Sequence, residues 1–244
     1  MINIKVDTHT HTIASTHAYC TIMENAKYAS TIGMEAIAIT DHSPSLCDSP
    51  HVWHFHNLKA IPRELYGVKI LYGIEADILD PDGHISLEDD SILNKLDVVN
   101  ASIHSPAFSG KPGDDCTKAY EAVIKNPAVD IICHSGNPNY PYDYEKIVCM
   151  AKEYNKLIEI NNHSFYIRKS SIPNCLTLAK LCMEHSTGIV VSSDAHFCSE
   201  IGEYSLALKA LEDINFPEEL IINRDLNSFQ EFISRRKELF RWNL

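Results

Sequence analysis

A chain of 244 residues with 45% hydrophobic and 22% charged residues has an ordinary globular composition and is long enough for one large core, so one domain over residues 1–244 is expected. No apolar run approaches the ~18 residues a membrane span needs, and Met1-Ile2-Asn3-Ile4-Lys5 lacks the basic-then-apolar layout of a signal peptide, so no membrane partner is expected. The net charge of −12 repels phosphate backbones, which disfavours extended nucleic acid as a partner.

Eight cysteines at irregular spacing, with no Cys-x-x-Cys, read as reduced thiols in a cytoplasmic protein. In chain order, residues 4–7 are predicted as a first strand. Thr21 and Glu24 have the spacing of a capping box, and Ala26, Ala29 and Ile32 continue at helical period to Gly33. Residues 36–40 are a second strand. A helical or irregular stretch around 57–66 precedes a third strand at 68–72, and residues 96–103 are a fourth. A helix at 117–125, a fifth strand at 129–133 and a helix at 144–154 follow. A sixth strand at 157–161, a helix at 175–185 and a seventh strand at 188–192 complete the alternation. The tail adds a helix at 204–211, an apolar run at 220–223 and a helix from 226 to 239. Strand alternating with helix predicts a parallel sheet covered by helices.

The polar residues favour a closed barrel over an open sheet. The first strand leads into Asp7-Thr8-His9-Thr10-His11, with His17 shortly after. Two residues apart on an extended segment, His9 and His11 face the same way and can share one metal. The second strand leads to Asp41-His42, the third to Gly73-Ile74-Glu75, the fourth to His104, the fifth to His134, and the seventh to Asp194-Ala195-His196. A lone strand-end histidine is ordinarily a surface or hydrogen-bonding residue. Seven histidines and two carboxylates at the same structural position converge only at the mouth of a barrel, where active sites form. Nine donors exceed what one ion takes, so two or three divalent ions are expected, with Glu75 free to bridge a pair. Asp7 and Asp41 are equally readable as imidazole-orienting acceptors or as strand-end caps.

These segments resemble the polymerase and histidinol phosphatase (PHP) family, specifically its small stand-alone bacterial phosphatases. The resemblance rests on Asp7-Thr-His-Thr-His11, Ser15-Thr-His17, Ile39-Thr-Asp-His42, Gly73-Ile-Glu75, His104, Cys133-His-Ser-Gly-Asn-Pro138, Glu159-Ile-Asn-Asn162 and Ser193-Asp-Ala-His196. It implies a distorted (β/α)7 TIM-like barrel and three metals: one on His9, His11, Glu75 and Asp194; a second on Glu75, His104 and His134; a third on His17, His42 and His196. His163 departs from the pattern, which has a small polar residue there.

Three divalent ions against Glu75 and Asp194 leave about +4 at the mouth of an acidic protein, which suits a small phosphorylated substrate. The expected reaction is in-line attack on a phosphate monoester by a hydroxide bridging the two ions joined through Glu75. No side chain is assigned as the acid for the leaving group. Zinc is the first choice, with manganese or iron as alternatives, because histidine and carboxylate donors accept all three. Arg63 and Arg168 are candidate phosphate clamps, and His51, His54 and His56 form a candidate lid edge. Rival readings are an amidohydrolase-type amide hydrolase or deaminase, a nuclease, and a metal buffer. The sequence is compatible with a homo-oligomer and does not require one.

Overall fold

The computed structural model describes residues 2–242. Seven parallel strands succeed one another around the sheet: β1 (Val6–Thr10), β2 (Ala36–Ile39), β4 (Val68–Asp77), β5 (Val98–Ser102), β6 (Ile131–Ile132), β7 (Leu157–Asn161) and β8 (Ile189–Ser192). An eighth, β3 (Glu64–Leu65), pairs antiparallel with the start of β4, inside the stretch expected to be helical or irregular. Thr10 bridges to Ala195, and the His11 amide donates to the Ala195 carbonyl at 2.9 Å, so the sheet nearly closes into the expected seven-stranded barrel.

Where β1 and β8 do not pair directly, one side chain joins them. The Asn223 amide donates to the carbonyls of Val6 (2.8 Å) and Val191 (2.6 Å), and its oxygen accepts from the Val191 amide (3.0 Å). Asn223 lies in a 3-10 turn at the end of the apolar run 220–223 and stands in for a missing strand there.

Period-two alternation sorts the core into two layers. Ala36, Ala38, Val98 and Val190 cluster with Phe229, Phe232 and Ile233 of the last helix, α9 (Leu226–Trp242). The intervening Ile37, Ile39, Val99 and Val191 pack in the larger cluster with the surrounding helices. Those helices include α1 (Ile22–Thr31), α4 (Thr117–Lys125), α5 (Tyr144–Glu153), α7 (Ile172–His185) and α8 (Ser205–Asp213). The capping box expected of Thr21 and Glu24 is present on α1. Single turns α2 (Trp53–His56), α3 (Asp90–Leu93) and α6 (His163–Tyr166) lie in the connections.

Two boundaries differ in ways that matter for the site. The strand expected to end at residue 72 runs on to Asp77, because Gly73 continues the ladder. A Cβ there would sit 2.7 Å from Thr40 Cγ2 and 2.9 Å from the Val98 carbonyl, so only glycine fits between the neighbouring strands. The first strand also runs later than expected, to Thr10, with a register irregularity between Asp7 and Thr10, the interval that contains His9.

Candidate metal centre

All nine expected donors meet at the C-terminal mouth of the barrel. Glu75, buried near the end of β4, lies at the middle. Its Oε1 is 2.9 Å from His134 Nε2 and 3.4 Å from His104 Nε2. Its Oε2 is 3.3 Å from His9 Nε2, 3.5 Å from His11 Nε2 and 2.9 Å from His42 Nδ1. Asp194 Oδ1 lies 3.2 Å from His11 Nε2 and 3.6 Å from His9 Nε2. On the outer side, His17 Nε2 is 3.2 Å from His42 Nε2 and 2.9 Å from His196 Nε2.

Lone pairs that face one another in this way are satisfied by a proton or by a metal cation between them. His9 Nε2, both His11 nitrogens and Glu75 Oε2 are buried without an aligned hydrogen bond among the described residues. An orphaned buried polar atom costs about 1–3 kcal/mol, so several together fit a site built for metal. Groups close enough to share an ion include His9-His11-Asp194, His42-Glu75-His104, His11-His42-His196 and His163-Asp194-His196. His42 therefore borders two groups instead of belonging only with His17 and His196, and His163 joins the periphery of the centre.

Protonation follows this crowding. Burial disfavours charge on His9, but the carboxylates of Glu159, Glu75 and Asp194 hold its pKa well above the ordinary imidazole value. His11 is pushed down to about 3 by burial and by His42. Burial opposes ionisation of Glu75 and Asp194 as well. The histidines around each win, and both carboxyls lie well below their usual range. Deprotonated carboxylates beside a neutral His11 are the forms that bind a cation.

Three carboxylates fix the imidazoles from behind, and the expectations above assign none of them that task. His9 Nδ1 lies 2.7 Å from Glu159, so its proton sits there and Nε2 faces the centre. Glu159 also accepts from the His134 amide (2.7 Å), Asn161 Nδ2 (3.2 Å) and Ser192 Oγ. His104 Nδ1 is held by Asp77 at 2.6 Å, and His17 Nδ1 by Asp48. Glu159 could have been found: it is an acid at alternate spacing within a predicted strand that ends at the site, whereas Asp77 lies past Gly73, beyond the predicted end of its strand. Asp48 lies on an irregular loop and gives no such signal. Cys133 also lies near His9 and Glu159. Burial and Glu159 hold its thiol protonated, and His9 Nδ1 is already engaged, which makes it a poor ligand.

Of the two readings left open for Asp7 and Asp41, the structure shows the cap. Asp7 accepts from the Ser193 amide and hydroxyl, and Asp41 from Thr12 and Ser15, so both cap the loops that carry ligands. Arg63 is not a phosphate clamp. It pairs with Asp97 and lies over the Tyr72 ring, 3.5 Å from the centroid, away from the centre. Arg168 does reach the centre, with its NH2 3.4 Å from Asp194 Oδ2. His163 Nδ1 lies 3.2 Å from the Asp194 carbonyl. Two of the donors, His134 (φ 30) and Asp194 (φ 56), adopt left-handed backbone, a strained conformation typical of functional positions.

The sequence profile of the PHP domain matches residues 7–242. The chain belongs to the PHP domain family. It is similar to a probable phosphatase of Acetivibrio thermocellus, 47% identical over 97% of this chain and 98% of that protein. It is likewise similar to a probable phosphatase of Clostridium novyi, 44% identical over 96% of each. Among solved structures it resembles a histidinol phosphate phosphatase from Lactococcus lactis, complexed with zinc, L-histidinol and phosphate. The TM-score is 0.56 at 20% identity, covering 84% of this chain and 93% of that one, a likeness of fold.

Proposed function

We propose that this PHP protein is a metal-dependent phosphatase that hydrolyses small phosphate monoesters with three divalent ions in a single domain spanning residues 1–244. The observation that carries the reading is the convergence of nine donors at one mouth, five of the histidines directly around Glu75, with buried and unpaired side-chain atoms on His9, His11, His42 and Glu75. His9, His11, Glu75 and Asp194 would hold one ion, Glu75, His104 and His134 a second, and His17, His42 and His196 a third. Zinc is the first choice, because the donor set is dominated by imidazole. Bound divalent ions supply Lewis acidity toward phosphate oxygens and a hydroxide nucleophile at neutral pH.

The chain's own residues prepare that chemistry. Glu159, Asp77 and Asp48 each hold a histidine in one tautomer with its other nitrogen aimed at the mouth. Arg168, the cation closest to Asp194, is positioned to take an oxygen of the incoming phosphate. The net charge of −12 outside the mouth favours a compact phosphate over a long polyanion. All eight cysteines are free, and no helix among the described residues is long and apolar enough to cross a membrane. Both facts support a cytoplasmic enzyme.

The test is metal analysis of the purified protein followed by a phosphate-ester screen of the same sample. About three ions per chain, with phosphatase activity lost on chelation and restored by added metal, is the expected result. Activity indifferent to chelation, or hydrolysis of amides in preference to phosphate esters, would overturn the reading.

A further inference from the structure

Two thiols meet where the barrel closes. Cys20 lies on the loop that carries His17, and Cys198 follows closely on His196, so each stands just beyond a donor of the outer ion site. The two segments are far apart in sequence and are joined here by two hydrogen bonds. The Tyr19 amide donates to the His196 carbonyl at 2.9 Å, and the Cys198 amide donates to Cys20 Sγ at 3.2 Å. The Cys20 sulfur therefore rests against the backbone of Cys198, and the two thiols are hydrogen-bonding neighbours. A disulfide requires this kind of approach, with neither backbone forced to move. Cys20 is buried and Cys198 half-buried, so an oxidant reaches Cys198 first.

The place is one where a staple matters. Beside these loops β1 and β8 meet through the Thr10–Ala195 bridge, the His11 amide and the Asn223 side chain. The outer ion site lies across the same seam, with His17 Nε2 from one side 2.9 Å from His196 Nε2 of the other.

We infer that Cys20 and Cys198 are an oxidative modification site: a disulfide between them staples the His17 loop to the His196 loop and holds the outer ion in place. The pair stays as two thiols in a reducing environment and closes when a small disulfide of the glutathione class accumulates. The Cys198 sulfur attacks one sulfur of the oxidant, whose S–S bond breaks, and one small thiol leaves with the Cys198 proton. The Cys20 sulfur then attacks the Cys198 sulfur of the mixed disulfide, and the second small thiol leaves with the Cys20 proton. Two protein thiols give up two electrons and two protons, and the oxidant becomes two thiols. Because the sulfurs are neighbours beforehand, the bond forms without drawing His17 or His196 out of place. The cross-link is independent of the phosphatase reading, whereas its hold on the ion rests on that reading.

The experiment incubates the metal-loaded protein with glutathione disulfide and digests it without reduction. A peptide joining Cys20 to Cys198 is expected, together with glutathione adducts on the exposed Cys47 and Cys149. Oxidation should raise Tm by about 5–10 °C, because the link closes a long loop of the unfolded chain. It should also slow the release of the most weakly held ion to a chelator by about tenfold, since the loops must part for the ion to leave. Both effects vanish in Cys198→Ser and in Cys20→Ser, which keep the adducts at Cys47 and Cys149, and both reverse with dithiothreitol. Free thiols or separate adducts at Cys20 and Cys198, with Cys47 modified, overturn the inference. So does a cross-linked protein whose Tm and ion release match those of the reduced one. A protein without bound ions fails the phosphatase reading by itself, and the cross-link and Tm then decide about the pair.

Discussion

Glu159→Gln tests whether the carboxylates behind the histidines build the centre. The side chain keeps its size but loses one acceptor face. In the native protein Oε1 takes the His9 ring and Ser192 Oγ, while Oε2 takes the His134 amide and Asn161 Nδ2. A glutamine turns its NH2 toward one of these pairs, so two donors face a donor whichever way the amide lies. The Ser192 hydroxyl can rotate and the His9 proton can move to Nε2. A loss of roughly 3 kcal/mol is therefore expected from the ~1–3 kcal/mol cost of each unsatisfied buried group. For a chain of this size that lowers Tm of the metal-free protein by roughly 6–12 °C. If the amide displaces the His9 proton onto Nε2, the nitrogen that faces Glu75 and Asp194 is blocked. Metal affinity should then fall about 10–100-fold, the usual effect of losing an outer partner. Calorimetric melting of the chelated protein and competition against a chromophoric chelator read the two effects independently. A Glu159→Gln protein that binds metal as tightly as the parent would refute the reasoning, whatever its Tm.

Four further outcomes follow from the geometry. Asp77→Asn should weaken metal binding about tenfold with little change in melting, because His104 keeps its place but loses its charged partner, as a metal titration would read. Gly73→Ala should cost at least about 2 kcal/mol in denaturant unfolding, since the added methyl meets the Val98 carbonyl at 2.9 Å on a strand that cannot shift. Asn223→Ala strands two carbonyls and one amide at the β1–β8 seam, and chemical denaturation should show a loss of roughly 3 kcal/mol. Arg63→Ala should leave phosphatase kcat/KM unaltered while lowering stability by about 1 kcal/mol. A fall in activity with intact metal content would return Arg63 to the site.

The convergence of the nine side chains at the mouth was legible because their positions repeat from strand to strand. His9, His42, His104, His134 and His196 each follow an apolar run, and a parallel barrel has only one mouth for them to meet in. What hides Asp77 is Gly73. Read along the chain, the glycine marks the end of a strand, whereas in space it is the residue that lets β2 and β5 approach β4 closely and carries the strand on to Asp77. Asp48 escapes for a different reason. It meets His17 across two irregular loops, where no period links position to direction. Arg63 misleads because charge type is visible in sequence and partnership is not: Asp97, 34 residues away, claims it. The choice between orienter and cap for Asp7 and Asp41 was open for the same reason, and hydroxyl and amide donors from the flanking loops decide it for the cap.

The closure of the barrel has a consequence for how the protein is made. His9 and His11 leave the ribosome well before Asp194 and His196, and the hydrogen bond from His11 to Ala195 joins the two segments. A chain that has formed only the first half of the barrel brings His9, His11, His42 and His104 together with Glu75 but lacks His134, Asp194 and His196. Contacts of this sequence separation also form late and slowly. A complete donor set thus waits for the last strand of the barrel to close on the first.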